Sequence, residues 1–216
     1  MKRASFLFVL FAVLFFGGFA FTLAQELEPI TLLAPQTDGG KPLMQVLKQR
    51  QSSRAYSSEA LPLQVLSNLL WAANGVNRPE SGKRTAPTAA NWQEVDIYVA
   101  LAEGLYLYDA KAHILKPVLA EDIRAATGRQ AFVKDAPVNL IFVADHSRMG
   151  KGSVGDKDFY SATDAGFVSE NVYLFCASEG LATVVRGNVD RPELAKVMGL
   201  RPDQKIVLAQ SVGYPK

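Results

Sequence analysis

Arg50-Gln51-Ser52-Ser53-Arg54 is the segment whose residue types and spacing best suit chemistry. In an extended chain alternate side chains point the same way, so Arg50, Ser52 and Arg54 share one side. Two guanidinium groups flanking a hydroxyl suit a ligand that carries both a phosphate and a polarisable carbonyl system, because guanidinium forms directional, charge-assisted hydrogen bonds. Read alone, the same five residues also fit a solvated basic turn. Other chemistry is poorly provided for. His113 and His146 stand far apart, each without ligand partners at metal spacing, and both read as solvated or locally bonded. There is no Ser-His-Asp arrangement, and the Gly-x-Gly-x-x-Gly letters of Gly150–Gly155 are read as a mobile loop and not as a nucleotide-binding turn. The single cysteine, Cys176, cannot form an internal disulfide, and among Leu174, Phe175 and Ala177 it reads as a small buried residue.

The elements that must position the arginines can be read from periodicity. Leu43, Val46 and Leu47 fall on one face of a helix over 42–49, and Leu63, Leu66, Leu69 and Leu70 on one face of a second over 62–73, which Gly75 closes. A loop rich in glycine, proline and basic residues runs from Gly75 to Asn91. The alternation of Val95, Ile97, Val99 and Leu101, the Glu103-Gly104 turn and Leu105-Tyr106-Leu107-Tyr108 predict a hairpin, with Leu115 on its return. Leu119–Thr127 is expected as a short helix ended by Gly128, and Val138–Ala144 as a buried central strand. Gly150–Gly155 reads as a mobile loop. Phe159–Glu179 follows as the longest helix, and its small residues, Ala162, Ala165 and Gly166 among them, suit a central or subunit-contact position. A strand over 181–185, a helix over 191–198 and a strand over 205–212 complete the chain. Trp92 and Phe159 are assigned to core packing ahead of a substrate face. Without regular alternation of β and α, the class is α+β.

Composition narrows the setting. Met1-Lys2-Arg3, the apolar run Phe6–Phe21 and Thr22-Leu23-Ala24 have the build of a signal peptide over residues 1–24, cut before Gln25. The expected location is therefore export, to the periplasm, with membrane attachment only if that segment is retained. Residues 25–41 form an extended leader and 42–216 one domain. Without Lys2 and Arg3 the 23 Lys and Arg fall to 21, equal to the 21 Asp and Glu. A formally neutral chain argues against nucleic acid as a partner.

Four segments, in order, resemble the nitroreductase family in its branch of SagB-type and ThcOx-type oxidases. They are Arg50-x-Ser52-x-Arg54 with Tyr56; Leu69–Val76 followed by Arg84–Asn91; Gly104–Asp109; and Asp164-Ala165-Gly166 through Gly180–Thr183 to Gly213-Tyr214-Pro215. Together they span residues 42–215. The resemblance implies a mainly antiparallel central sheet flanked by helices, with FMN at a homodimer interface, and hydride or electron transfer through flavin N5 to a small acceptor such as a nitroaromatic or quinone. It places Arg50 and Ser52 on the FMN phosphate and ribityl chain, and Arg54 at N1 and the C2 carbonyl. Pro87, Thr88 and Asn91 would belong to the loop that reaches the ring, often from the partner subunit, and the backbone of Arg186 and Gly187 would lie at N5. Relatives commonly carry an acidic or apolar residue in place of Arg186. Lys216 takes the place of the family's cation beyond Gly-Tyr-Pro. NAD(P)H as donor stays open, since soluble nicotinamides are scarce outside the cytoplasm. The competing expectation is an exported flavin-binding or structural module without turnover.

Overall fold

The computed structural model describes residues 26–216. The expected signal peptide lies outside the described residues. The chain enters through a two-residue strand, β1 (Ile30–Thr31), and then two helices, α1 (Leu43–Gln49) and α2 (Leu63–Asn74). Pro42 and Pro62 stand just before the two helices, where a missing N–H costs nothing. A small hairpin follows, β2 (Val76–Arg78) with β3 (Lys83–Arg84), inside what the sequence shows only as a loop. The main sheet is then built by β4 (Val95–Ala100), β5 (Leu105–Asp109), β6 (Ile114–Leu119) and β7 (Val138–Asp145). The long helix α3 (Val154–Glu179) leads to β8 (Ala182–Arg186), α4 (Arg191–Val197) and β9 (Gln204–Gly213). The sheet has seven strands in the order β1-β6-β5-β4-β7-β9-β8, and every pairing is antiparallel. The class is α+β, as expected.

Each face of this sheet is covered. Val95, Ile97, Val99, Leu140 and Phe142 pack against Leu66, Leu69 and Leu70 of α2 and Val168 and Val172 of α3. On the opposite face Tyr98, Ile141, Val143 and Ile206 meet Leu194 and Met198 of and beside α4. All eight residues of β7 are buried, which is why its sequence is mostly apolar, broken by Asn139 and ended by Asp145, instead of an alternation.

Three expectations are corrected here. Leu119–Thr127 is not a helix: Leu119 ends β6, and only Arg124–Thr127 winds, as a 3-10 turn. Asp122 Oδ1 accepts from the Arg124 N–H and fixes a turn before a helix can start. The loop Gly150–Gly155 ends early, because Ser153 and Asp156 form a capping box and α3 begins at Val154, five residues before Phe159. Phe159 is not in the core; it is 66% exposed, as are Phe167 at 44% and Met44 at 75%.

Two features of the sheet's margins position the site. At one edge the leader is stitched down. Leu32 is buried, and the Leu33 carbonyl accepts from Ser67 Oγ, while His113 Nε2 lies 3.0 Å from that carbonyl and its Nδ1 3.0 Å from the Tyr108 hydroxyl. At the other edge β8 covers β9 only from Ala209 to Gly213. Arg191 caps the uncovered stretch, donating to the carbonyls of Ile206 at 2.9 Å and Val207 at 2.7 Å. No helix among the described residues is long and apolar enough to cross a membrane.

Candidate functional site

The segment after α1 runs along the outer edge of β8. Ser53 donates its backbone N–H to the Thr183 carbonyl at 2.8 Å, Tyr56 bridges to Pro215, and the Ser57 N–H reaches Tyr214. One residue absent from the sequence reading organises this edge. The Tyr173 hydroxyl lies 2.8 Å from Ser52 Oγ and accepts from the Val185 N–H at 3.0 Å, and its ring carries the Arg50 guanidinium at 5.2 Å. Arg50 and Ser52 are thereby brought together, as the alternation predicts. Arg54 follows on the same exposed segment, and neither it nor Arg50 has an ion-pair partner among the described residues. A cavity of about 650 Å³ opens between this segment and α3, lined by Lys41, Lys48, Arg50, Ser53, Tyr173 and Pro215. Exposed Lys216 adjoins Pro215 and so sits at the same edge.

Where β8 ends, Gly187 is exposed, and a Cβ built there would meet only Leu208 Cδ2, at 4.0 Å. A flat ring can approach that backbone. Its neighbour Arg186 behaves differently: the side chain is buried, donating to the Thr127 carbonyl at 2.7 Å and to Asn139 Oδ1 at 2.9 Å. Burial lowers its pKa to about 10, and no carboxylate compensates.

The loop expected to carry Pro87, Thr88 and Asn91 is strained. Ala90, Asn91 and Gln93 all have left-handed backbones, with φ of 49°, 56° and 50°; such residues cost on the order of 1 kcal/mol or more each and persist where surroundings impose them. Thr88 Oγ1 accepts from the Gln93 N–H at 3.1 Å, and Asp164 Oδ2 on α3 accepts from the Ala89 N–H at 2.9 Å. Behind the loop Glu94 is fully buried, with neither carboxylate oxygen hydrogen-bonded to a donor. Burial, and then the Asp164 carboxyl beside it, push the Glu94 pKa up to about 7. The protonated form of Glu94 is the one this enclosure favours. Asp164 stands nine residues before Tyr173 on α3, roughly 13 Å along the helix axis, so within one chain the loop does not join the arginine cluster.

Tyr173 and Glu94 escaped the sequence reading, and Asp164 entered it only as part of the fourth family-like segment, with no role. The available signal was a polar group on a buried stripe: Asp164 shares a helical face with Ser161, Val168 and Val172, and Glu94 directly precedes an apolar strand. Among the described residues no group of His, Cys, Asp and Glu could hold a metal ion.

Unpaired guanidinium groups, a hydroxyl and an open strand end fit the donor set a phosphate-bearing planar cofactor requires. The class so defined is an α+β protein with an open, cationic sheet edge. The chain belongs to the nitroreductase family, whose profile matches residues 47–214; its activity is therefore that of an oxidoreductase. It is 34% identical over 170 residues to a protein of Methanocaldococcus jannaschii described as a nitroreductase, covering 74% of this chain and 85% of that one. A crystal structure from Ralstonia eutropha, described in the same way, superposes with a TM-score of 0.84 at 46% identity, covering 87% of this chain and 90% of the other. A Desulfovibrio desulfuricans structure in complex with FMN shares the fold, with a TM-score of 0.60 at 23% identity over 82% of this chain and 88% of that one.

Proposed function

We propose that the protein is an exported, FMN-dependent oxidoreductase of the SagB-type and ThcOx-type branch, working as a homodimer and delivering hydride or electrons to a small acceptor such as a nitroaromatic or quinone. FMN, when bound, supplies the hydride chemistry at N5. Arg50 and Ser52 hold the phosphate and ribityl chain, with Lys216 as an additional cation. Arg54 sets a fixed positive charge at N1 and the C2 carbonyl, where preorganised charge favours the reduced ring. The backbone of Arg186 and Gly187 meets N5, and Pro87, Thr88 and Asn91 reach the ring bound by the partner subunit. The observation that carries this reading is the Tyr173-centred edge, where two unpaired arginines and a hydroxyl lie beside a strand whose end is open at Gly187. The dimer is supported by the exposed apolar residues of α1 and α3, Leu43, Met44, Phe159 and Phe167, and by the distance of the 87–91 loop from its own arginines. The N-terminal sequence supports a cleaved signal peptide and a periplasmic location.

The test is reconstitution. Purified protein mixed with FMN should take up one flavin per chain, and the bound flavin, once reduced, should be reoxidised rapidly by a quinone or nitroaromatic. NADH and NADPH are assayed as donors beside a reduced quinone. A protein that takes up no FMN refutes the proposal, and one that binds it without cycling is a flavin-binding module.

A further inference from the structure

Arg186 is a cation built into the protein interior without an anion. It is 4% exposed, and its guanidinium touches only neutral oxygens: the Thr127 carbonyl at 2.7 Å, Thr127 Oγ1 at 3.4 Å and Asn139 Oδ1 at 2.9 Å, with Nε unpaired. The enclosure is made for it. Gly128 leaves the space, since a Cβ there would stand 1.9 Å from Arg186 Nη1. Asn139 is fixed in turn, donating from Nδ2 to the Val133 carbonyl at 2.9 Å while its Oδ1 also accepts from Ser211 Oγ at 2.6 Å. The one titratable group facing it, Tyr56, stays neutral because burial raises its pKa.

A buried charge with neutral partners carries a desolvation penalty that an apolar or neutral side chain of the same size would avoid. Packing alone does not account for the choice of arginine. The charge has a use if an anion forms nearby, and Gly187, the open backbone where the ring is proposed to lie, is the next residue. Consecutive Cα atoms are about 3.8 Å apart, so a ring held at that backbone is separated from the guanidinium by little more than the length of the Arg186 side chain. The intervening matter is protein and not salt water, so the field is weakly screened.

We propose that Arg186 is a fixed counter-charge for the reduced flavin: held inside the sheet by Thr127, Asn139 and Gly128, it acts through space to favour the ring carrying negative charge. The proposal rests on the FMN reading above. Arg186 is a tuning residue, not one that touches the reacting atoms.

The test uses the FMN-loaded full chain and three variants: Arg186→Lys, Arg186→Met and Asn139→Asp. The last keeps the arginine and its packing but gives it a carboxylate, and so cancels the charge even if Arg186→Met fails to fold. Two readouts are taken, the equilibrium reduction of bound flavin against reference dyes, and the affinity for sulfite, which adds at N5 to give an anionic ring. Expected for Asn139→Asp, and for Arg186→Met where folded, is a roughly tenfold shift of the reduction equilibrium toward the oxidised ring, about 30 mV for two electrons, with a similar loss of sulfite affinity. Arg186→Lys should stay near wild type. If Asn139→Asp binds FMN normally and neither readout moves, the proposal is wrong and the FMN reading stands. If wild type itself takes up no FMN, both fall together.

Discussion

Replacing Glu94 with Gln should stabilise the protein at alkaline pH and not at acid pH. The folded state raises the Glu94 pKa from an ordinary 4.5 to about 7. Between those values the folded chain holds a proton that the unfolded chain releases, so stability is full below pH 4.5 and declines as pH rises through 7. A shift of about 2.5 units corresponds to about 3 kcal/mol at 1.36 kcal/mol per unit, and the residue is fully buried, so solvent does not dilute it. Glutamine keeps the shape and donates to Asp164 as the protonated acid would, without an ionised form. At pH 8 the variant should gain roughly 6–12 °C in Tm, taking 2–4 °C per kcal/mol for a chain of this size; at pH 5 the gain should shrink to roughly 2–3 °C. Thermal unfolding followed by circular dichroism at pH 5, 6, 7 and 8 checks this. Parallel curves for variant and wild type across that range would show that the acid pair behind the loop is not what the protein titrates.

Other expectations follow from the same contacts. Tyr173→Phe removes the partner of Ser52 and leaves the Val185 N–H unanswered, so denaturant unfolding should show a loss of about 1–3 kcal/mol and FMN titration a weaker complex. Gly128→Ala drives a methyl into the Arg186 guanidinium, and a loss above about 2 kcal/mol is expected in the same unfolding assay. Phe167→Glu on the exposed face of α3 should leave the chain folded but convert the proposed dimer to monomer by light scattering. Ser67→Ala removes one of the two groups held at the Leu33 carbonyl, costing about 1 kcal/mol and raising hydrogen exchange over residues 30–36.

The parts of this structure that sequence reveals are those with a period. The stripe of Leu66, Leu69 and Leu70, the alternation in β4 and the mostly apolar run of β7 each specify an element and its buried face. The strand β6 was only half visible, because Pro117 and the exposed Lys116 and Val118 interrupt its pattern at a place where the short β1 no longer covers it. The start of α3 was hidden because Gly150–Gly155 has loop composition, although Ser153 and Asp156 are a capping box in plain view. In the site, Arg50 and Ser52 were legible because their neighbours in sequence are their neighbours in space. The burial of the Arg186 side chain was not: its partners stand 59 and 47 residues earlier in the chain, and no local pattern records them. The acid pair likewise joins the start of β4 to the middle of α3, a contact that exists only after the sheet and helix have packed.

The half-covered β9 has a bearing on how the protein avoids sticking to copies of itself. A strand with vacant carbonyls is a template for any passing segment that can add in register. Arg191 answers that hazard with a single side chain, its forked donors occupying Ile206 and Val207 while a third reaches Gly187. Losing it would leave the molecule's shape nearly unchanged yet expose a row of acceptors. The damage would then surface as turbidity on concentration or heating, long before it registered as a fault in the fold.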